Sequence, residues 1–195
     1  GLLRGTLRGS ALASGTPSDL RVAGGNLAYE VGDAPPTRIA DLAARFSTDP
    51  ALRYEVTGRA APLALATLTE LFPQLPLQAA TLSGPFRVSG TAERAAFDLD
   101  FGGAAGRLAA RGTVLPGDVL RFYLTRGLEA FRSGLLLAAS NPVQGPLTGT
   151  FGARGSAEDF RFDVDLAHQG GSFDLGGLVG NPGHGMQFCV DGAVA

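Results

Sequence analysis

Apolar and charged residues alternate along this chain in short runs. Phe97, Leu99 and Phe101 alternate with Asp98 and Asp100, and further on Phe160, Phe162, Val164 and Leu166 alternate with Arg161, Asp163 and Asp165. Side chains two apart on a strand share a face, so each run predicts a strand with one apolar and one charged face. Leu52, Tyr54 and Val56 against Arg53, Glu55 and Thr57 repeat the pattern. Shorter versions are Leu20 with Val22, Leu27 with Tyr29 and Val31, and Phe122 with Leu124. Gly24-Gly25, Gly102-Gly103 and Gly170-Gly171 each stand between two such runs, where a positive φ closes a hairpin without a side-chain clash. The expected structure is a series of antiparallel hairpins with one dry face and one wet face.

Two segments depart from this period. Ala61–Phe72 (APLALATLTELF) sets Leu65, Leu68 and Leu71 at helical spacing, with Pro62 suited to a first helical turn and Pro73 to a stop, which predicts a short helix capping or crossing the sheet. In Asp118–Ser133, Phe122, Leu124, Leu128 and Ala130 fit one face either of a strand broken at Gly127 or of a helix, and the neighbouring Gly and Pro favour the strand.

The runs belong to a repeat. Leu82–Val114 superposes without a gap on Leu147–Val179, and 12 of the 33 pairs are identical, among them Gly84/Gly149, Phe86/Phe151, Gly90/Gly155, Phe97/Phe162, Asp98/Asp163 and Asp100/Asp165. A fixed period marks an array whose units bury their apolar faces against one another. A degenerate copy opens the chain, matching Leu3, Gly5 and Leu7 to Leu147, Gly149 and Phe151, and Gly24–Tyr29 to Gly170–Leu175. The expected division is a degenerate unit over about 1–60, a helix or linker over 61–76, and units over about 77–134 and 135–195.

Composition narrows the picture. There are 29 Gly and 12 Pro in 195 residues, too many for long helices, while 45% apolar residues is too many for disorder. All 16 basic residues are arginine against 18 acids, for a net charge of −2, so no basic field draws the chain to nucleic acid. No apolar run approaches the roughly 20 residues of a membrane helix, and no signal peptide is visible. The chain reads as a piece of a longer array.

Candidate chemistry is sparse. Cys189, the only cysteine, lies between Phe188 and Val190 and reads as a buried strand residue. His168 and His184 have no Glu or second His at ligand or general-base spacing and read as loop residues. The doublets Asp98/Asp100 and Asp163/Asp165 would put carboxylates roughly 6–7 Å apart on one strand face, near a glycosidase spacing. They recur in step with the repeat, however, which fits a solvated outer face better than a catalytic pair. No catalytic residue, metal site or cofactor site is expected.

The pattern Gly-x-Leu/Phe-x-x-x-Gly-x-Ala before an alternating strand, then Gly-Gly and another strand, is carried by Gly84–Ala92 with Phe97–Phe101 and by Gly149–Ala157 with Phe162–Leu166. It resembles the repeating β-sheet region of TamB and its relatives in the AsmA-like superfamily, as does Leu65–Gly90, where a short amphipathic stretch leads into the next unit. The resemblance implies an all-β fold, a repetitive antiparallel sheet curled into an elongated open groove shaped like a taco, with at most one or two short helices. It implies a phospholipid conduit in the periplasm of a diderm bacterium, in a parent protein anchored in the inner membrane, with membranes at its ends and an outer-membrane barrel of the TamA type as partner. The lining residues would be Phe97, Leu99, Phe101, Phe162, Val164, Leu166, Tyr54, Val56, Leu20, Val22, Leu27 and Tyr29. A structural or adhesive β-solenoid of the cell surface is the alternative. A polysaccharide-active enzyme ranks last, since the chain has no Trp and three Tyr for aromatic platforms.

Overall fold

A computed structural model describes residues 5–67, 80–117, 121–132, 145–156, 159–168, 171–180 and 187–194, side chains at 126, 179, 180 and 187–194 excepted. The chain forms one all-β sheet of twelve strands: β1 (Thr6–Thr16), β2 (Asp19–Glu30), β3 (Thr37–Ser47), β4 (Arg53–Ala64), β5 (Thr81–Thr91), β6 (Ala95–Gly103), β7 (Gly106–Leu115), β8 (Arg121–Phe131), β9 (Leu147–Ser156), β10 (Asp159–His168), β11 (Gly171–Gly180) and β12 (Gln187–Val194). Their order in the sheet is their order in the chain, and every pairing is antiparallel. Among the described residues β1 pairs only β2 and β12 only β11, so the sheet is open. At about 4.8 Å per strand it is roughly 53 Å wide.

Bulges account for several differences from the sequence reading. Gly24-Gly25 closes no hairpin. It lies inside β2, where the register shifts between Val22 and Leu27, and Leu20–Val22 and Leu27–Tyr29 are two halves of one strand. The hairpin instead turns at Pro17-Ser18, with Thr16 paired to Asp19. Near Gly102-Gly103 the turn is one step on, at Ala104-Ala105, with Gly103 paired to Gly106. The third pair lies partly outside the described residues, and Gly171 is the first residue of β11. β3 was hidden in the sequence because a bulge at Asp41 (φ 54°) moves Ile39 out of phase with Leu42, Ala44 and Phe46. Extra residues of this kind bend a strand and sharpen its twist.

The expected helix is corrected over its first part. Ala61–Ala64 continue β4, and Pro62 occupies a register shift between Ala60 and Leu63 rather than a helical first turn. Residues 65–67 are helical, and the rest of that segment lies outside the described residues. β8 passes unbroken through Gly127, which pairs with Ala109 and Thr150. Its irregularity falls later, between Leu128 and Phe131, where Ala130 takes φ 48°.

The repeat is visible strand by strand. β5, β6 and β7 occupy the same places in their unit as β9, β10 and β11 sixty-five residues later. The first unit joins the series with a different match from the one read in the sequence. Cross-strand register sets Leu7, Gly9, Ala13 and Gly15 at the levels of Leu82, Gly84, Val88 and Gly90, so LRGSALASGT aligns with LSGPFRVSGT, four residues on from the Leu3/Gly5/Leu7 match. In all three units a Cβ added at these glycines would meet a backbone carbonyl across the hairpin: Asn26 at Gly9, Asp100 at Gly84, Asp165 at Gly149, and then Asp19 at Gly15, Arg94 at Gly90, Asp159 at Gly155. The described strands thus form three four-strand units, β1–β4, β5–β8 and β9–β12.

Burial is confined to one end of the strands. Ala60, Leu65, Leu82, Phe101 and Ala105 form a small cluster with Leu63, Ala80, Phe86, Leu99, Leu108 and Phe131 packed beside it. A polar clip docks the 65–67 turn there. Ala64 N donates to Thr37 Oγ1 (3.1 Å), Thr37 Oγ1 bonds Thr67 Oγ1 (3.2 Å), Thr67 Oγ1 donates to Pro35 O (3.3 Å), and Thr67 is 2% exposed. Thr67→Val keeps the shape and strands the Thr37 hydroxyl and the Pro35 carbonyl, so it should cost about 1–2 kcal/mol in a urea melt.

Candidate functional site: the apolar face of the sheet

Because every strand pairs in register with the next, alternation along strands becomes continuous rows across them. One row runs Gly15, Leu20, Phe46, Tyr54, Gly90, Ala95, Val114, Phe122, Gly155, Phe160, Val179 and Phe188. The next runs Ala13, Val22, Ala44, Val56, Val88, Phe97, Gly112, Leu124, Ala153, Phe162, Gly177 and Val190. Both cross all twelve strands without a polar residue other than the Tyr54 hydroxyl. A third row, from β4 to β12, reads Gly58, Phe86, Leu99, Ala110, Arg126, Phe151, Val164, Leu175 and Gly192. A fourth, from β6 on, reads Phe101, Leu108, Leu128, Gly149, Leu166, Phe173 and Val194.

All twelve residues named as groove lining lie on this one face. Leu20 and Tyr54 are in the first row; Val22, Val56, Phe97 and Phe162 in the second; Leu99 and Val164 in the third; Phe101 and Leu166 in the fourth, with Leu27 at the same level on β2 and Tyr29 one step beyond. They differ in cover. Phe101 is 7% exposed and belongs to the buried cluster, Leu20 is 37% exposed, and the other ten are half-buried. No large side chain anywhere among the described residues is fully enclosed. The face also includes residues the sequence reading did not place on it: Phe46, Ile39 and Leu42 on β3, and Phe86, Phe151 and Phe173 on strands that also bring glycines to this face.

Glycine shapes this surface. The Phe86 ring lies over Gly58, where an added Cβ would stand 2.9 Å from Cζ, and the Phe97 ring lies over Gly112. Phe122 and Phe160 approach across Gly155 with ring centroids 6.0 Å apart. Rings that lie down on a bare backbone cover it and leave a low apolar floor in place of upright side chains.

The opposite face is a field of exposed ion pairs. Arg107 forks onto Asp100 (2.8 and 2.7 Å), Arg111 bonds Asp98 (2.6 Å), Arg45 forks onto Asp19 (3.0 and 3.3 Å), and Arg87 meets Glu55 at 3.0 Å. Hydrogen bonds from Arg107 and Arg45 hold the Asp100 and Asp19 carboxyls below the usual carboxylate range. The third unit does not keep these pairs. Gly176 and Ser172 stand where Arg111 and Arg107 stand in the second, and Asp165 faces Asp174 directly. The apolar rows persist through all three units; the ion pairs do not.

Among the described residues, hollows also lie on the charged face, one lined by Arg87, Asp98, Arg111, Tyr123 and Thr125 and another by Arg21, Arg45 and Glu55. No cluster of three His, Cys, Asp or Glu among the described residues could hold a metal ion, and no helix among them is long and apolar enough to cross a membrane. His168 is the last residue of β10, half-buried, with its ring against Gly145. His184 lies outside the described residues. Cys189 is in β12, paired with Leu178. Comparison of the chain with family models, curated proteins and solved structures gives no match. The resemblance to the TamB region therefore rests on the sequence pattern alone.

Proposed function

We propose that the apolar face binds lipid acyl chains and conducts phospholipid along the sheet, as a β-groove segment of an envelope-spanning protein that serves outer-membrane biogenesis in a diderm bacterium. The observation that carries this reading is the pair of unbroken apolar rows across twelve strands, away from the buried cluster and half open to solvent. An apolar sheet face is stable only against another layer or a ligand. Burying acyl chains there contributes about 0.8 kcal/mol per CH2, and rows without polar interruption let a chain slide sideways without crossing a barrier. Curling of the sheet about these rows would complete the groove. The meander topology offers no ladder of stacked short coils, so the solenoid alternative gains nothing from it.

Native mass spectrometry with lipid extraction, on protein purified from its own envelope, tests the proposal. Phospholipid should co-purify in more than one copy, since the rows exceed the roughly 20 Å length of one acyl chain. A lipid-free protein that stays monomeric and stable sinks the conduit and leaves a repeat-built structural domain.

A further inference from the structure

On the charged face the three units differ at one level of the sheet. That level runs from Arg21 on β2 through Arg45, Glu55, Ser89, Ala96, Thr113, Tyr123 and Arg154 to Arg161 on β10. β2, β6 and β10 hold the same place in their units, so Ala96 stands where the first and third units carry Arg21 and Arg161. Tyr123 likewise stands on β8 where β4 carries Glu55. With a methyl in place of a guanidinium, the surface around Ala96 dips into a hollow of about 420 Å³, lined also by Ser89, Arg87, Asp98, Arg111 and Tyr123. Tyr123 is 53% exposed, and its neighbours across the strands are Thr113 and Arg154, so core packing does not account for its ring.

The polar groups around the hollow are held in place. Arg87 meets Glu55 at 3.0 Å, and Arg111 bonds Asp98 at 2.6 and 3.1 Å, which orients both guanidiniums and offsets their charge. Arg94, in the β5–β6 turn, reaches over β6 and donates to Thr113 Oγ1 at 3.4 Å. Among the described residues it meets no carboxylate at ion-pair distance, its neighbour Glu93 included. One guanidinium is therefore in excess at the hollow. Arg121, two residues before Tyr123 on β8, and Arg154, opposite it on β9, add positive charge beside the ring.

We infer that this hollow binds an acidic saccharide. The C–H side of a pyranose ring is apolar and packs on the negative face of a tyrosine ring. Its hydroxyls need fixed donors and acceptors, which Asp98, the two oriented guanidiniums and the Thr113 and Ser89 hydroxyls supply. Its acidic group takes the fork of Arg94, the arginine without a carboxylate. A bare anion would leave the exposed ring unused, and an apolar ligand would strand the polar wall. The site lies on the face opposite the apolar rows and does not depend on what those rows bind.

Calorimetric titration tests the site, with trigalacturonate and trimannuronate as acidic sugars, maltotriose as a neutral one and inorganic phosphate as the bare anion. At least one acidic sugar should bind with a Kd on the order of 1 mM, as one small subsite allows, and several-fold more tightly than maltotriose or phosphate. Ala96→Arg restores the residue type of the other two units, so it should keep the fold and abolish binding. Arg94→Gln should bring the acidic sugar down to the level of maltotriose, while Arg161→Gln, an equal change of charge outside the hollow, should leave its affinity unchanged. Tyr123→Ala, checked for folding by circular dichroism, should weaken the acidic sugar about tenfold. Phosphate binding as tightly as the sugars overturns the inference and leaves an anion site. Equal losses in Arg94→Gln and Arg161→Gln overturn it in favour of diffuse attraction to arginine. Folded protein that binds neither acidic sugar at millimolar concentration overturns it outright.

Discussion

Gly84→Ala should lower the unfolding free energy by about 3 kcal/mol or more, while Gly58→Ala, 26 residues away on the neighbouring strand and on the same face, should cost about 1 kcal/mol or less. Both glycines lie beneath neighbours, but the neighbours differ in kind. A methyl at Gly84 meets the Asp100 carbonyl oxygen, a backbone atom fixed in the sheet, and Gly84 also holds φ 157°. Neither constraint can relax without breaking register with β6. At Gly58 the nearest atoms are the Phe86 ring at 2.9 Å and the Ile39 methyl at 3.2 Å, both side chains that can shift. Urea melts of the two variants measure the difference directly. Gly149→Ala should behave as Gly84→Ala, since a methyl at Gly149 would meet the Asp165 carbonyl and Gly149 holds φ 146°. Equal, small effects at Gly84 and Gly58 would mean that the repeated glycines are not what holds the units in step.

The same distinction explains how much of the fold was legible in the sequence. Strands with uninterrupted alternation, such as β6 and β10, announce themselves, because period two has no competing reading over Phe97–Phe101 or Phe160–Leu166. Strands with a bulge do not. In β3 the residue inserted at Asp41 changes the phase between Ile39 and Leu42, and Ile39, Leu42 and Phe46 then fall close to helical spacing. β2 was cut in two for the same reason, since a Gly-Gly pair signals a hairpin and a bulge with the same chemistry. The helix expected over Ala61–Phe72 failed at its start because even the strong helix propensity of Ala and Leu is a weak prior against tertiary context, and pairing of Leu63 with Leu82 and Ala64 with Thr81 decides the matter.

The candidate face was legible in outline, since alternation alone assigns Phe97, Leu99, Phe162 and Val164 to one side. Its continuity was not. Rows across twelve strands depend on register, and register is a product of turn lengths and bulges that a single strand does not record. The position of the first unit shows this plainly: Leu7-x-Gly9 and Leu3-x-Gly5 both fit the opening motif by eye, and only the pairing of Gly9 with Leu27 selects the former.

Register also separates two charge substitutions that alternation treats as equivalent, and this is the sharpest distinction between a conduit and an ordinary core. Leu99→Arg should destabilise the protein by about 3 kcal/mol, because Leu99, though half-buried, packs against the buried cluster of Leu82 and Phe101, and a guanidinium there forfeits that packing and sets a charge beside the dry cluster. Phe162→Arg should cost only about 1 kcal/mol: it is half-buried, flanked in its row by Ala153 and Gly177, and its strand is remote from the cluster. If acyl chains occupy the face, Phe162→Arg should leave a folded protein that has lost most of its co-purifying phospholipid, with its charge in the path of the chains. Phe162→Leu should keep both fold and lipid. Loss of folding in Phe162→Arg comparable to Leu99→Arg would place Phe162 in a closed core, and the open apolar rows would then be the inside of a sandwich whose second layer is the sheet itself.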